Sequence, residues 1–140
     1  MKKLITTELI GKSSRLITNN LAQKLLEAQA GVTTEQWIIL QILSRGAMTQ
    51  KELSEKTLKN KASINSLVSN LLKLELVDKK ISEKDKRETR VSLNNEGEEV
   101  RARVAKIATT SVDEALNGFS NEEIDNLNSL LNRVKENLIK

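Results

Sequence analysis

The chain has 140 residues, 23 Lys and Arg against 19 Asp and Glu, a net charge of +4, and neither cysteine nor histidine. That length suits one domain with its own core. The missing residue types exclude disulfides, thiol chemistry, a Cys- or His-ligated metal and imidazole acid–base catalysis. The longest clean apolar stretch, Trp37–Leu40, falls far short of the roughly 20 residues of a spanning helix, so a soluble cytoplasmic protein without membrane contact is expected.

Charge is unevenly placed. Residues 59–90 hold nine Lys and Arg against five Asp and Glu, whereas residues 107–132 hold five acids and no base. A basic region opposed to an acidic one suits a side facing nucleic acid and a side held away from it, although a charge of this size also arises as a surface fluctuation.

In chain order, a first helix is predicted from Leu4 to Ala28, ending before Gly31, with Leu4, Leu9, Leu16, Leu21 and Leu25 giving it an apolar side. A second runs from Thr34 to Ser44, a short third from Gln50 to Lys56, and a fourth from about Asn60 to Leu74. Three capping-box pairs mark helix starts: Thr33 with Gln36, Thr49 with Glu52, and Ser120 with Glu123. Two strands follow, near Val77–Ser82 and Glu88–Leu93, alternating in polarity and joined by the charged stretch 83–87. A long helix from Glu96 to Asn117 and a last one from Asn121 to Leu138 complete the chain. In that last helix Ile124, Leu127, Leu131, Val134 and Leu138 repeat at spacings of 3 and 4, a coiled-coil-like seam.

The fourth helix carries Ile64, Leu67, Val68 and Leu71 on one face. Lys61, Asn65, Ser66, Ser69, Asn70 and Lys73 lie largely outside that stripe. Short hydrogen-bonding side chains let a helix approach a groove lined by base edges, although taken alone the same face fits a solvated helix better. The order of elements weighs in favour of recognition: a short helix, a tight turn, a polar-faced helix and then a basic hairpin make a helix-turn-helix followed by a wing. The terminal helices extend beyond this unit with little intrachain core to cover, which points to a homodimer. No Gly-rich phosphate loop, nucleophile–base spacing or metal-ligand cluster is present, so neither an enzyme nor a cofactor is expected.

In Thr33–Leu40, in Thr49-Gln50-Lys51-Glu52-Leu53, in Leu67-Val68 with Leu71, and above all in Asp85-Lys86-Arg87 followed by Val91-Ser92-Leu93 and Gly97, the chain resembles the MarR family of bacterial regulators. The resemblance covers nearly the whole length. It implies a mainly α protein: a winged helix-turn-helix with a small β-hairpin wing and long terminal dimerisation helices. Residues 1–140 form one domain, with a DNA-binding lobe at 30–95 and a helical dimerisation region at 1–29 and 96–140. The implied partners are double-stranded DNA bearing a pseudo-palindrome, a second copy of the chain and a small apolar or aromatic effector; the implied role is a repressor. Candidate DNA contacts are Lys61, Ser63, Asn65, Ser66 and Asn70 on the helix, and Lys84, Asp85, Lys86 and Arg87 in the wing. The resemblance puts Arg87 in the minor groove, positioned by Asp85, and Trp37 at an aromatic core position. The chain departs from the pattern at Ser66 and Asn70, where arginines are frequent, at Glu75, where a turn glycine is common, and at Asn94, in place of a threonine. The competing reading is a winged-helix module that binds protein and lacks significant DNA affinity.

Overall fold

A computed structural model describes every residue except Lys86 and Lys140. The elements are α1 (Lys2–Glu27), α2 (Thr34–Leu43), β1 (Met48–Thr49), α3 (Gln50–Thr57), α4 (Lys61–Lys73), β2 (Val77–Ile81), β3 (Thr89–Leu93), α5 (Asn95–Ala115) and α6 (Asn121–Leu138). The chain is thus mainly helical, with a small antiparallel sheet in the order β1-β3-β2. The fold class, a winged helix-turn-helix, agrees with the expectation from sequence. The two-residue β1 was not anticipated: Met48 and Thr49 pair with Val91 and Arg90, and a strand this short carries no alternation.

Local chemistry sets the boundaries. Thr33 and Ser120 form complete capping boxes with Gln36 and Glu123. At Thr49 only half of the expected box forms. The threonine oxygen accepts from the Glu52 backbone N–H, but the Glu52 carboxylate accepts from the Thr49 hydroxyl and pairs with Arg90 instead of reaching back to the backbone. Helix α1 ends at Glu27, ahead of Gly31 as expected, because Gln29 takes the left-handed conformation at φ +50. Glu75 does the same at the end of α4, at φ +61. Its N–H bonds to Leu72 O and that of Leu76 to Leu71 O, a full Schellman closure built without glycine.

The core is formed by Ile39, Leu40 and Leu43 of α2, Leu53 of α3, Ile64, Val68 and Leu71 of α4, Val77 and Val91 of the sheet and Val104 of α5, joined by Leu25 of α1. Gly97 lets the start of α5 close on this core. A β-carbon there would lie 2.1 Å from Leu76 O and 2.8 Å from Leu93 Cδ1.

Helix α5 is tied to its neighbours by polar links. Arg101 donates to both Glu98 oxygens and to Gln41 of α2, and the Trp37 indole N–H donates to Arg101 O at 3.2 Å. Trp37 is therefore a packed, half-buried structural residue. The hydrogen bond from Arg101 holds the Glu98 carboxyl below its ordinary range. On the α1 side, the buried Ser111 hydroxyl donates to Asn20 at 2.6 Å, while Lys24 and Asn20 both donate to Glu114. Lys24 foremost, then Asn20, lowers the Glu114 carboxyl.

Helix α6 contains no buried residue. Leu130, Leu131, Val134 and Leu138 are exposed on it, as are Leu4, Ile5, Leu9, Leu16 and Ile17 on α1.

Candidate DNA interface

The site is built from α3, α4 and the β2–β3 hairpin. The turn between α3 and α4 is fixed by side chains. Leu58 is left-handed at φ +59, the Ser54 hydroxyl donates to Lys59 O, and the Thr57 hydroxyl donates to Leu53 O while accepting from the Lys59 N–H. Asn60 caps α4, its side-chain oxygen accepting from the Ser63 N–H at 2.8 Å. These contacts set the angle at which α4 leaves α3, and α4 then buries Ile64, Val68 and Leu71 fully.

Opposite that buried row, Lys61, Asn65, Ser66, Ser69, Asn70 and Lys73 are exposed and Ser63 is half-buried. Among the described residues, the side chains of Lys61, Ser63, Asn65, Ser66 and Asn70 make no intramolecular hydrogen bond or ion pair. The donors and acceptors of Lys61, Asn65, Ser66 and Asn70 are open to solvent on the exposed side of the helix, which is what reading base edges requires. All five helix residues expected as contacts thus lie on one element, with Asn65 in its second turn.

The wing places the other expected residues. Lys84, Asp85 and Arg87 are exposed at the connection between β2 and β3, and Lys86 lies outside the described residues. Asp85 acts on the backbone: its Oδ1 accepts from the Arg87 N–H at 3.0 Å, and its own carbonyl accepts from the Glu88 N–H at 2.9 Å. The Ser82 side chain accepts from the Asp85 N–H, and the Ser82 N–H donates to Glu88 O at 2.8 Å. The carboxylate therefore holds the Arg87 backbone rather than gripping its guanidinium.

Arg90 was not among the residues singled out from the sequence. Its guanidinium meets Glu88 at 2.9 Å, Glu52 of α3 at 3.4 Å and Ala47 O at 3.4 Å. It braces the wing against the helix-turn-helix, and the available signal was strand parity, which turns Arg90 away from the buried Val91.

Three features bear on other chemistry. An apolar groove of about 560 Å³ lies where α1 meets α2, lined by Leu25, Leu26, Ala30 and Val32, with Thr34 at its edge. The Thr34 hydroxyl is buried and unpartnered. Among the described residues no cluster of three or more acidic, His or Cys side chains could hold a metal, and no helix is long and apolar enough to cross a membrane.

Residues 30–88 match the model of the MarR family, a family of transcriptional regulators rather than enzymes. A search of curated proteins finds no match. Among solved structures, the chain is similar to AbsC, a MarR family transcriptional regulator from Streptomyces coelicolor, at 23% identity and TM-score 0.87, over 98% of this chain and 94% of that one. It is similar to a MarR mutant from E. coli complexed with operator DNA, at 18% identity and TM-score 0.84, over 95% of each chain. It is also similar to BpsR of Bordetella bronchiseptica, whose DNA binding is regulated by 6-hydroxynicotinic acid, at 17% identity and TM-score 0.83, over 92% and 91%.

Proposed function

We propose that this chain, whose residues 30–88 match the MarR family and whose whole length has the fold of that family's solved members, is a transcriptional repressor that binds double-stranded DNA as a homodimer. The observation that carries this reading is the outward face of α4, where Lys61, Asn65, Ser66 and Asn70 are exposed and without intramolecular side-chain partners among the described residues, set beside a wing whose tip is organised by Asp85. In this reading α4 enters the major groove, Asn65 reads adenine through its amide, and Arg87 enters the adjacent minor groove, whose narrow AT-rich form attracts arginine. Lys61, Lys84 and Lys86 contact phosphates, and Ser63, Ser66 and Asn70 add short-range contacts to base edges or backbone.

The division of labour follows the apolar surface. Residues 30–95 form the DNA-binding lobe, and residues 1–29 and 96–140 form the dimerisation region. An α6 with no buried residue and with Leu130, Leu131, Val134 and Leu138 exposed gains its packing from a second copy. A symmetric dimer places two α4 helices on the half-sites of a pseudo-palindrome.

The α1–α2 groove takes a small apolar or aromatic acid as effector. Its walls are largely aliphatic, with Thr34 among the lining residues, and it lies where the dimerisation helices join the DNA lobe. Trp37 does not line it. A chain without Cys or His gives peroxide no thiol, and zinc no thiolate or imidazole, on which to act as the signal.

The experiment is a mobility shift at low salt with the intergenic DNA beside the protein's own gene, against Arg87→Ala. Retarded wild-type complex and weakened variant complex are expected. Absence of any complex at low salt would leave the protein-binding module as the better account.

A further inference from the structure

We propose that the cleft between the first residue of α3 and the inner face of the wing seats a DNA backbone phosphate, with Lys79 as its principal cation. The inference rests on the DNA-binding reading and extends it to a residue that neither the sequence pattern nor the recognition helix suggests.

The cleft has a volume of about 360 Å³ and is lined by Gln50, Lys79, Arg87, Thr89 and Val91. Strand register explains the grouping. Lys79 lies opposite Val91, and Ile81 opposite Thr89, so Lys79, Val91 and Thr89 share one face of the sheet. At its base this face is core, where Val77 and Val91 are buried; farther out it opens, and Lys79 is exposed. Gln50 closes the other side, because the β1 pairing with β3 brings the start of α3 against the sheet.

Among the described residues the lining holds two cations and no carboxylate. Neither Lys79 nor Arg87 has an ion-pair partner among the described residues, and Gln50 and Thr89 add a side-chain amide and a hydroxyl. The opposite face of the same hairpin differs. Arg90 there is paired with Glu88 and Glu52, and Asp78 lies on that side with Lys80. Carboxylates thus stand among the cations of the outer face, and none lines the inner cleft. A shallow cleft rich in donors and lacking a carboxylate suits an anion better than a base edge, which offers donors and acceptors together. Continuity selects the anion's source. The cleft lies between α3 and the wing tip, so a phosphate seated in it belongs to the strand that borders the groove Arg87 enters.

The test uses the full chain and an AT-rich duplex, with affinity measured by fluorescence anisotropy between roughly 50 and 200 mM salt. Each phosphate contact contributes about 0.9 to the log–log salt slope. Lys79→Ala should therefore lower the slope by about 0.9 per lobe, and across that range the advantage of the wild type should shrink about 3.5-fold per lobe. Lys80→Ala is the control: it removes the same charge from the neighbouring residue on the other face, and it should lower the slope by distinctly less. Lys79→Gln should behave as Lys79→Ala, which covers a failure of the alanine variant to fold, and Lys79→Arg should keep the wild-type slope. Equal slopes for Lys79→Ala and Lys80→Ala would overturn the proposal while leaving DNA binding intact, as would a wild-type slope for both Lys79→Ala and Lys79→Gln. A wild-type protein that binds no duplex at low salt would instead overturn the DNA-binding reading, and this proposal with it.

Discussion

Replacing Gly97 with alanine should destabilise the protein even though alanine is the better helix former. The added β-carbon would stand 2.1 Å from Leu76 O, 2.8 Å from Leu93 Cδ1 and 3.1 Å from Leu76 C. The leucine methyl can rotate away. The Leu76 carbonyl cannot, because the Leu76 N–H is held in the Schellman closure of α4 and the carbonyl itself accepts from the Asn94 N–H at 3.3 Å. Relief requires α5 to withdraw by about 1 Å or more, which strains the cap in which Asn94 accepts from the Gly97 N–H at 2.8 Å. Overpacking against fixed atoms costs about 1–3 kcal/mol, and a weakened cap up to about 1 kcal/mol more. Helix propensity offsets roughly 0.5–1 kcal/mol. A net loss of about 2 kcal/mol follows, or about 8 °C in Tm for a chain of this size. Urea denaturation at fixed protein concentration, which the proposed dimer requires, can be followed by fluorescence of the single tryptophan, Trp37, which is hydrogen-bonded to α5 through Arg101 O. A Gly97→Ala protein as stable as the wild type, or more so, would refute the close-approach argument and leave helix propensity as the only effect.

Three further outcomes can be checked separately. Glu75→Gly should stabilise the protein by up to about 1 kcal/mol, because a left-handed non-glycine residue is strained and here sits at φ +61; a lower Tm would show that the Asn94 side-chain bond to Glu75 O depends on the native side chain. Asp85→Ala should weaken DNA binding, as Arg87→Ala does, and the double variant should lose less than the sum; tighter binding by Asp85→Ala in a titration at fixed salt would mean that only the removed negative charge matters. Asn65→Ala should relax sequence preference by roughly 1–3 kcal/mol at one position per half-site, whereas an unchanged preference in a competition assay against single-base variants would make Asn65 an ordinary solvated residue.

Much of the fold was legible because strong local signals coincide with it. The capping residues Thr33 and Ser120 fixed the starts of α2 and α6, and the period of Ile64, Val68 and Leu71 fixed the buried face of α4. What stayed hidden depends on contacts between distant segments. Strand β1 is two residues long and exists only because β3 lies beside it. Glu52 abandons the reciprocal capping bond for an arginine 38 positions away in sequence. Glu75 and Gln29 adopt the conformation for which a glycine would be sought, since the bonds to Leu72 O and Leu26 O hold them there. In the candidate site, the wing residues were visible as a charged loop, but the route by which Asp85 acts was not. A carboxylate two residues before an arginine suggests a side-chain bond, whereas the Asp85 carboxylate accepts from the Arg87 backbone N–H instead. Lys79 and Gln50 become neighbours only through the pairing of β1 with β3, and no one-dimensional pattern shows it.

The central claim is that two copies of this chain grip one duplex through paired α4 helices and wings. Light scattering of the complex with a duplex carrying an inverted repeat from the protein's own upstream region tests it most directly, at protein concentrations well above Kd. The expected mass is that of two chains of 15.7 kDa plus one duplex, with the dimer persisting when DNA is omitted. A free chain that remains monomeric at micromolar concentration, or a complex holding a single chain, would contradict the account.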